Sequence, residues 1–150
     1  MVFFALFLSS LTFAQENFKD ETLALMENIA MKTEYKNVVE FLQKADYEKV
    51  SESDQENELT YYFMGPESEM MQVVYTKSKK LKQIAMIITS DFPVLISLQT
   101  TLMQHGFKNR DYERFHHEKS SYPYKFLTNE GKNGSANVFL LTKNSEKYTK

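Results

Sequence analysis

Apolar residues recur every three or four positions in three stretches of the chain. In six others they alternate with polar residues or run together. Leu23, Met26 and Ile29 or Ala30 fall on one side of a helix, expected from a cap at Asp20 to about Ala30. Tyr35, Val38, Val39, Leu42 and Ala45 repeat that period in a second helix, which Thr33 is placed to cap. Leu95, Leu98 and Leu102 mark a third. Ser90-Asp91-Phe92-Pro93 opens it, because a proline in the first turn gives up no helical hydrogen bond. His105-Gly106 closes it: glycine accepts the left-handed conformation after a helix, and histidine suits the negative end of the dipole.

The strands are read from shorter runs. LTYYFM (Leu59 to Met64) sets Leu59, Tyr61 and Phe63 against Thr60, Tyr62 and Met64, and Gly65-Pro66 stops it. MMQVVYT (Met70 to Thr76) follows. Leu81 to Thr89 is apolar on both alternating faces from Ile84 to Ile88, which predicts a central strand. Phe107 to His117, Tyr122 to Thr128 and Ala136 to Lys143 read as further strands, with a turn over Asn129 to Asn137. In Tyr122 to Thr128, Tyr122, Tyr124 and Phe126 oppose Lys125. Asp46 to Glu58 reads as an acidic loop, and the chain ends in a short polar tail.

Helix, helix, strands, helix, strands predicts an α+β fold, with helices packed on one face of a mostly antiparallel sheet. The order hints at a tandem repeat over 33–89 and 91–143. Val38 meets Leu98, Leu42 meets Leu102 and Tyr47 meets Phe107 at one common offset, and Tyr61-Tyr62-Phe63 echoes Tyr124-Lys125-Phe126 further on. This doubled order is similar to the tandem arrangement of secreted β-lactamase-inhibitor-like proteins. The similarity is one of topology and carries no site residue across.

The first residues stand apart. Val2 to Ala14 is uncharged and apolar. As a helix it reaches about 20 Å, short of the roughly 30 Å of a bilayer core. Thr12 and Ala14 stand where a signal peptidase reads small residues. Residues 1–14 are therefore expected to be a cleaved signal peptide, despite the lack of a basic n-region, with an upstream start as the alternative. Residues 15–150 then form one exported α+β domain, periplasmic or extracellular, with no transmembrane span. No linker composition divides it.

Composition removes chemistries. The chain has no Cys, which excludes disulfides, thiolate nucleophiles and Cys-based zinc sites. Eighteen basic and twenty acidic residues give a net charge of −2, not the footprint of a nucleic-acid binder. Acids crowd Asp46 to Glu58 and bases crowd Lys77 to Lys82, two patches suited to orienting a partner. No Gly-x-Ser-x-Gly turn, Walker loop or dinucleotide fingerprint occurs. His116-His117-Glu118 is the one cluster of ligand types. As a strand it places His116 and Glu118 together and His117 opposite, and His105 is the only other histidine. Two ligands fall short of a catalytic zinc site, so no cofactor is expected.

Tyrosines in strands offer area with a polar tip, a style of surface suited to glycans or peptides. The sequence thus predicts a non-catalytic binding or interaction module. Tyr62, Tyr75, Glu52, Asp54 and Glu56 would meet a protein, small-molecule or glycan partner in the cell envelope. The alternative is an envelope hydrolase whose site includes His105, His116 or Glu118.

Overall fold

The computed structural model describes residues 15–89, 93–111 and 115–149. The expected signal peptide, Ser90-Asp91-Phe92 and part of the Phe107 to His117 run lie outside them. Helix α1 spans Glu21–Lys32. It starts where the sequence marks it: Asp20 Oδ1 accepts the Leu23 amide at 2.9 Å, satisfying one of the donors that a helix start leaves unpaired. Leu23, Met26 and Ile29 are buried. Thr33 does not open the second helix. It closes α1, donating to the Asn28 carbonyl at 3.0 Å, and a 3-10 turn at Tyr35–Asn37 leads into α2, Val38–Lys44.

Four strands follow: β1 Glu48–Asp54, β2 Glu58–Met64, β3 Met70–Thr76 and β4 Leu81–Ile88. Then come α3, Val94–Gln104, with Pro93 at its N-cap, and β5 Lys108–Asp111, β6 His116–Glu118, β7 Lys125–Glu130 and β8 Ala136–Leu141. All eight strands join one sheet in the order β1-β2-β3-β4-β8-β7-β6-β5, and every pairing is antiparallel. The α+β class is therefore correct, and β4 lies at the centre of the sheet as its unbroken apolar run requires.

Two strand expectations are corrected. The acidic stretch is not a loop: it holds β1. An edge strand has one side free of the ladder and tolerates charge, which also guards it against pairing with other chains. The Phe107 to His117 run is not one strand but two paired ones, β5 and β6. Gly65 does stop β2, for a steric reason. A Cβ there would run into the Glu69 carboxylate and stand 2.7 Å from the Tyr47 ring.

Each half of the sheet is a helix followed by a four-stranded meander, and the halves join where β4 pairs with β8. They correspond closely at the helix–strand junctions. Tyr47 N–H donates to the Leu42 carbonyl at 2.9 Å and Phe107 N–H to the Leu102 carbonyl at 3.0 Å. Asp46 and Gly106 both take positive φ, 62° and 83°. Both edge strands carry a bulge, between Lys49 and Ser51 and between Asn109 and Asp111. From 35 to 50 and from 95 to 110, burial matches position for position.

The strand members of the core share one face by register. Tyr61, Val73, Ile84, Leu140 and Phe126 form one row across the sheet. They cluster with Leu23, Met26, Ile29, Val38, Leu42, Leu98 and Leu102 from the helices. Each such side chain contributes about 1.5–3 kcal/mol on burial. The opposite row runs Tyr62, Gln72, Ala85, Phe139, Leu127. The tail is tied down: Thr142 Oγ1 donates to the Leu81 carbonyl at 2.7 Å, and Lys125 Nζ to the Tyr148 carbonyl at 3.1 Å. Lys147 Nζ lies 4.8 Å from the Phe139 ring centre, so the tail reaches the second face.

Candidate functional site

At the sheet end that carries the β3–β4 turn, two cavities adjoin. One, of about 530 Å³, is walled by Ile29, Thr33, Tyr35, Tyr75 and Lys79. The other, of about 580 Å³, is walled by Tyr122, Pro123, Tyr124, Thr142 and Asn144. Ala30 and Leu81 belong to both walls, so the two form one groove. The last turn of α1 forms its roof, and Tyr124 fixes that turn by donating to the Ala30 carbonyl at 2.8 Å.

Three tyrosines line the first cavity or stand behind it. The Tyr35 and Tyr61 hydroxyls bond at 2.8 Å. The Tyr35 ring meets Tyr75 edge-on, with centroids 4.9 Å apart, and Lys79 Nζ sits 5.2 Å from the Tyr35 ring centre. Burial pushes the Tyr61 hydroxyl up to about 12, helped by its bond to Tyr35. Tyr75 is 3% exposed, and its hydroxyl meets no hydrogen-bond partner among the described residues. Burial holds its pKa far above the ordinary range, so it stays a neutral hydroxyl. Aromatic walls, a lysine at the rim and a buried hydroxyl can bind and orient a ligand.

The structure separates the other residues singled out by sequence. Tyr62 pairs with Gln72 and Tyr75 with Leu59, which puts the two tyrosines on opposite faces of the sheet. Tyr62 OH accepts from Gln72 Nε2 at 3.4 Å. Glu52 pairs with Lys49 on its own strand, Asp54 with Lys77 and Glu58 with Lys82. Glu56 is exposed in the β1–β2 turn. The acidic and basic patches thus meet each other across the sheet end and partly neutralise.

The histidines do not converge. His105 caps α3 and its Nδ1 lies 3.4 Å from Glu16. Glu118 faces Lys125 at 3.2 Å and Arg110 at 3.5 Å. Among the described residues, no group of three or more His, Asp or Glu is placed to hold a metal. His117 is buried in the core face. Its Nε2 lies 3.0 Å from Thr128 Oγ1, and Nδ1 has no partner among the described residues.

Sequence reasoning missed Tyr35, whose place in a helical stripe made it look like ordinary core. It also missed Glu27, a wholly buried carboxylate on α1. Glu27 accepts the Glu16 and Asn17 amides at 2.7 and 3.2 Å and the Tyr122 hydroxyl at 3.1 Å. Burial first, then this carboxylate, holds the Tyr122 hydroxyl well above its usual pKa. No helix among the described residues is long and apolar enough to cross a membrane. Compared with known proteins, the chain matches no family model, no curated protein and no solved structure, so its function rests on its own residues.

Proposed function

We propose that the chain is a small exported binding module. Residues 1–14 direct export and are removed after Ala14, and residues 15–150 act in the periplasm or outside the cell. The tyrosine groove takes a glycan: sugar C–H faces lie on the rings, and sugar hydroxyls meet Tyr75, Asn144, Thr142 and the lysines at the rim. The observation that carries this reading is the Tyr75 hydroxyl, buried beside a cavity without a hydrogen-bond partner among the described residues. An unmet buried hydroxyl costs about 1–3 kcal/mol. Such a group calls for an explanation, and a ligand oxygen supplies one. Tyr35 covers it from a single 3-10 turn at the surface. Turning that ring is the least costly way to bring a ligand oxygen to Tyr75.

Tyr75→Phe tests this directly. The variant is expected to gain about 1 kcal/mol of stability in urea denaturation, because the unpaired hydroxyl is gone. It is also expected to bind about tenfold more weakly to whichever oligosaccharide a glycan array selects for the natural protein, since one hydrogen bond is worth about 1.4 kcal/mol there. The chain has nine Tyr and no Trp, so tyrosine fluorescence reports the titration. A variant that loses stability and keeps its affinity would remove the groove from consideration.

A further inference from the structure

Helix α3 buries Leu98 and Leu102 and contains no charged residue over its whole length. Its outward side exposes Ile96 at 63% and Met103 at 64%. The fold does not require this. The corresponding positions in the first unit, exposed in the same pattern, are Lys36, Asn37, Glu40, Gln43 and Lys44. Where one unit shows Lys36 to water the other shows Ile96, and where one shows Glu40 the other shows Thr100. The same surface position thus carries charge in one unit and apolar or neutral side chains in the other. An exposed apolar side chain gains nothing from water, and two on one helix stripe are shielded together when a single surface covers that stripe.

We propose that this face is where two copies of the chain associate. Ile96 and Met103 are two helical turns apart, about 10.5 Å along the axis, and so lie on one stripe. The stripe is its own complement. A two-fold axis between Gln99 and Thr100 sets Ile96 of each copy against Met103 of the other, as an isologous interface demands. The helices then run antiparallel, which opposes their dipoles favourably. With no charge on α3, no like charges meet. A cavity of about 260 Å³ opens beside Ile96, walled by Ile88, Pro93, Leu95 and Ala136 with Glu130 at its edge. In this arrangement the flexible Met103 side chain of the second copy fills it. Small Ser97 and Thr100 let the backbones approach. A single helix pair is a small interface, so the dissociation constant falls between micromolar and millimolar.

Sedimentation velocity on the purified protein, across that concentration range, tests the proposal. The weight-average mass is expected to rise from that of a monomer towards twice that value. Ile96→Lys installs the residue that the first unit carries at this position, and Met103→Gln does the same at the other end of the stripe. Each is expected to hold the protein at the monomer mass with an unchanged urea midpoint. Val50→Lys, at an exposed apolar position on β1, is expected to leave association intact. A natural protein that stays monomeric throughout overturns the proposal. So does an association that Ile96→Lys and Met103→Gln leave untouched, or that Val50→Lys abolishes equally. If the monomeric protein floats with lipid vesicles and Ile96→Lys prevents it, the face belongs to a membrane surface instead.

Discussion

Glu27→Ala is expected to destabilise the protein by about 3–4 kcal/mol. The carboxylate is wholly buried and accepts from the Glu16 amide, the Asn17 amide and the Tyr122 hydroxyl. Those donors belong to the segment before α1 and to the loop before β7, so one side chain on α1 ties both to the helix. Alanine leaves all three without an acceptor and opens a void beside Tyr122. The Glu16 carboxylate extends the same tie: Lys119 Nζ reaches it at 2.7 Å and also donates to the His105 carbonyl at 2.9 Å. Phe18 follows into the core, with its ring 4.6 Å from His105 and edge-on to Phe126 at 5.8 Å.

Loss of Glu27 therefore loosens one end of the molecule before the sheet. Urea denaturation measures the total loss, and limited trypsin digestion locates it, because Lys19 is exposed within the freed segment. Cleavage after Lys19 should quicken in Glu27→Ala well before cleavage within the strands. Tyr122→Phe removes only one of the three bonds and is expected to cost about 1 kcal/mol. A Glu27→Ala protein as stable as Tyr122→Phe would show that the two backbone bonds contribute nothing.

What the sequence made legible is what local pattern governs. The Asp20 cap, the Gly106 stop, the two-sided apolar run of β4 and the alternation in Leu59 to Met64 each depend on neighbours a few residues away. All are found as read. Strand β1 was hidden because its charges suit an edge, and nothing local tells an acidic edge strand from an acidic loop. Thr33 was misread because one threonine can serve a helix start or bond back to the helix behind it. The two charge patches looked available for a partner because their mutual pairing, Asp54 with Lys77 and Glu58 with Lys82, depends on sheet register.

The groove was illegible for a related reason. Its walls come from residues 29–36, 75–81, 120–124 and 142–144. Only the folded order of β3, β4, β8 and β7 brings these together. Tyr75 was selected for its residue type and strand position. That it ends buried on the core face, with Tyr62 on the other, follows from a pleat the sequence did show but could not orient. The chemistry of His117 was equally hidden. Both histidines are buried, on opposite faces of the sheet, and which of them turns into the helix-facing row depended on the pairing with Phe126.

That inward turn makes stability depend on pH. Gln99 Nε2 donates to Thr128 Oγ1 at 3.0 Å. His117 Nε2 also lies 3.0 Å from Thr128 Oγ1, so the neutral ring is held by one hydrogen bond whichever of the two donates. Burial, then the neighbouring His116, lowers the His117 pKa from 6.5 to about 4. The unfolded chain therefore binds a proton that the folded one refuses between those values. Stability from this group is complete above about pH 6.5 and drains away as pH falls towards 4. A shift of that size corresponds to at most about 3 kcal/mol, and relaxation of the protein around the charged ring brings the expected effect to about 2 kcal/mol. Carboxylates titrate in the same range, so the measurement is a difference. His117→Gln keeps a neutral hydrogen-bonding group beside Thr128 and cannot take the proton. Its urea stability, compared with the natural protein at pH 7.5 and pH 4, should close in by about 2 kcal/mol at the lower pH. The His117 ring resonances of the natural protein should also stay unshifted through pH 6.5. Parallel stability curves, or a ring that titrates near 6.5, would mean that water reaches His117 and that this part of the core opens more readily than its packing implies.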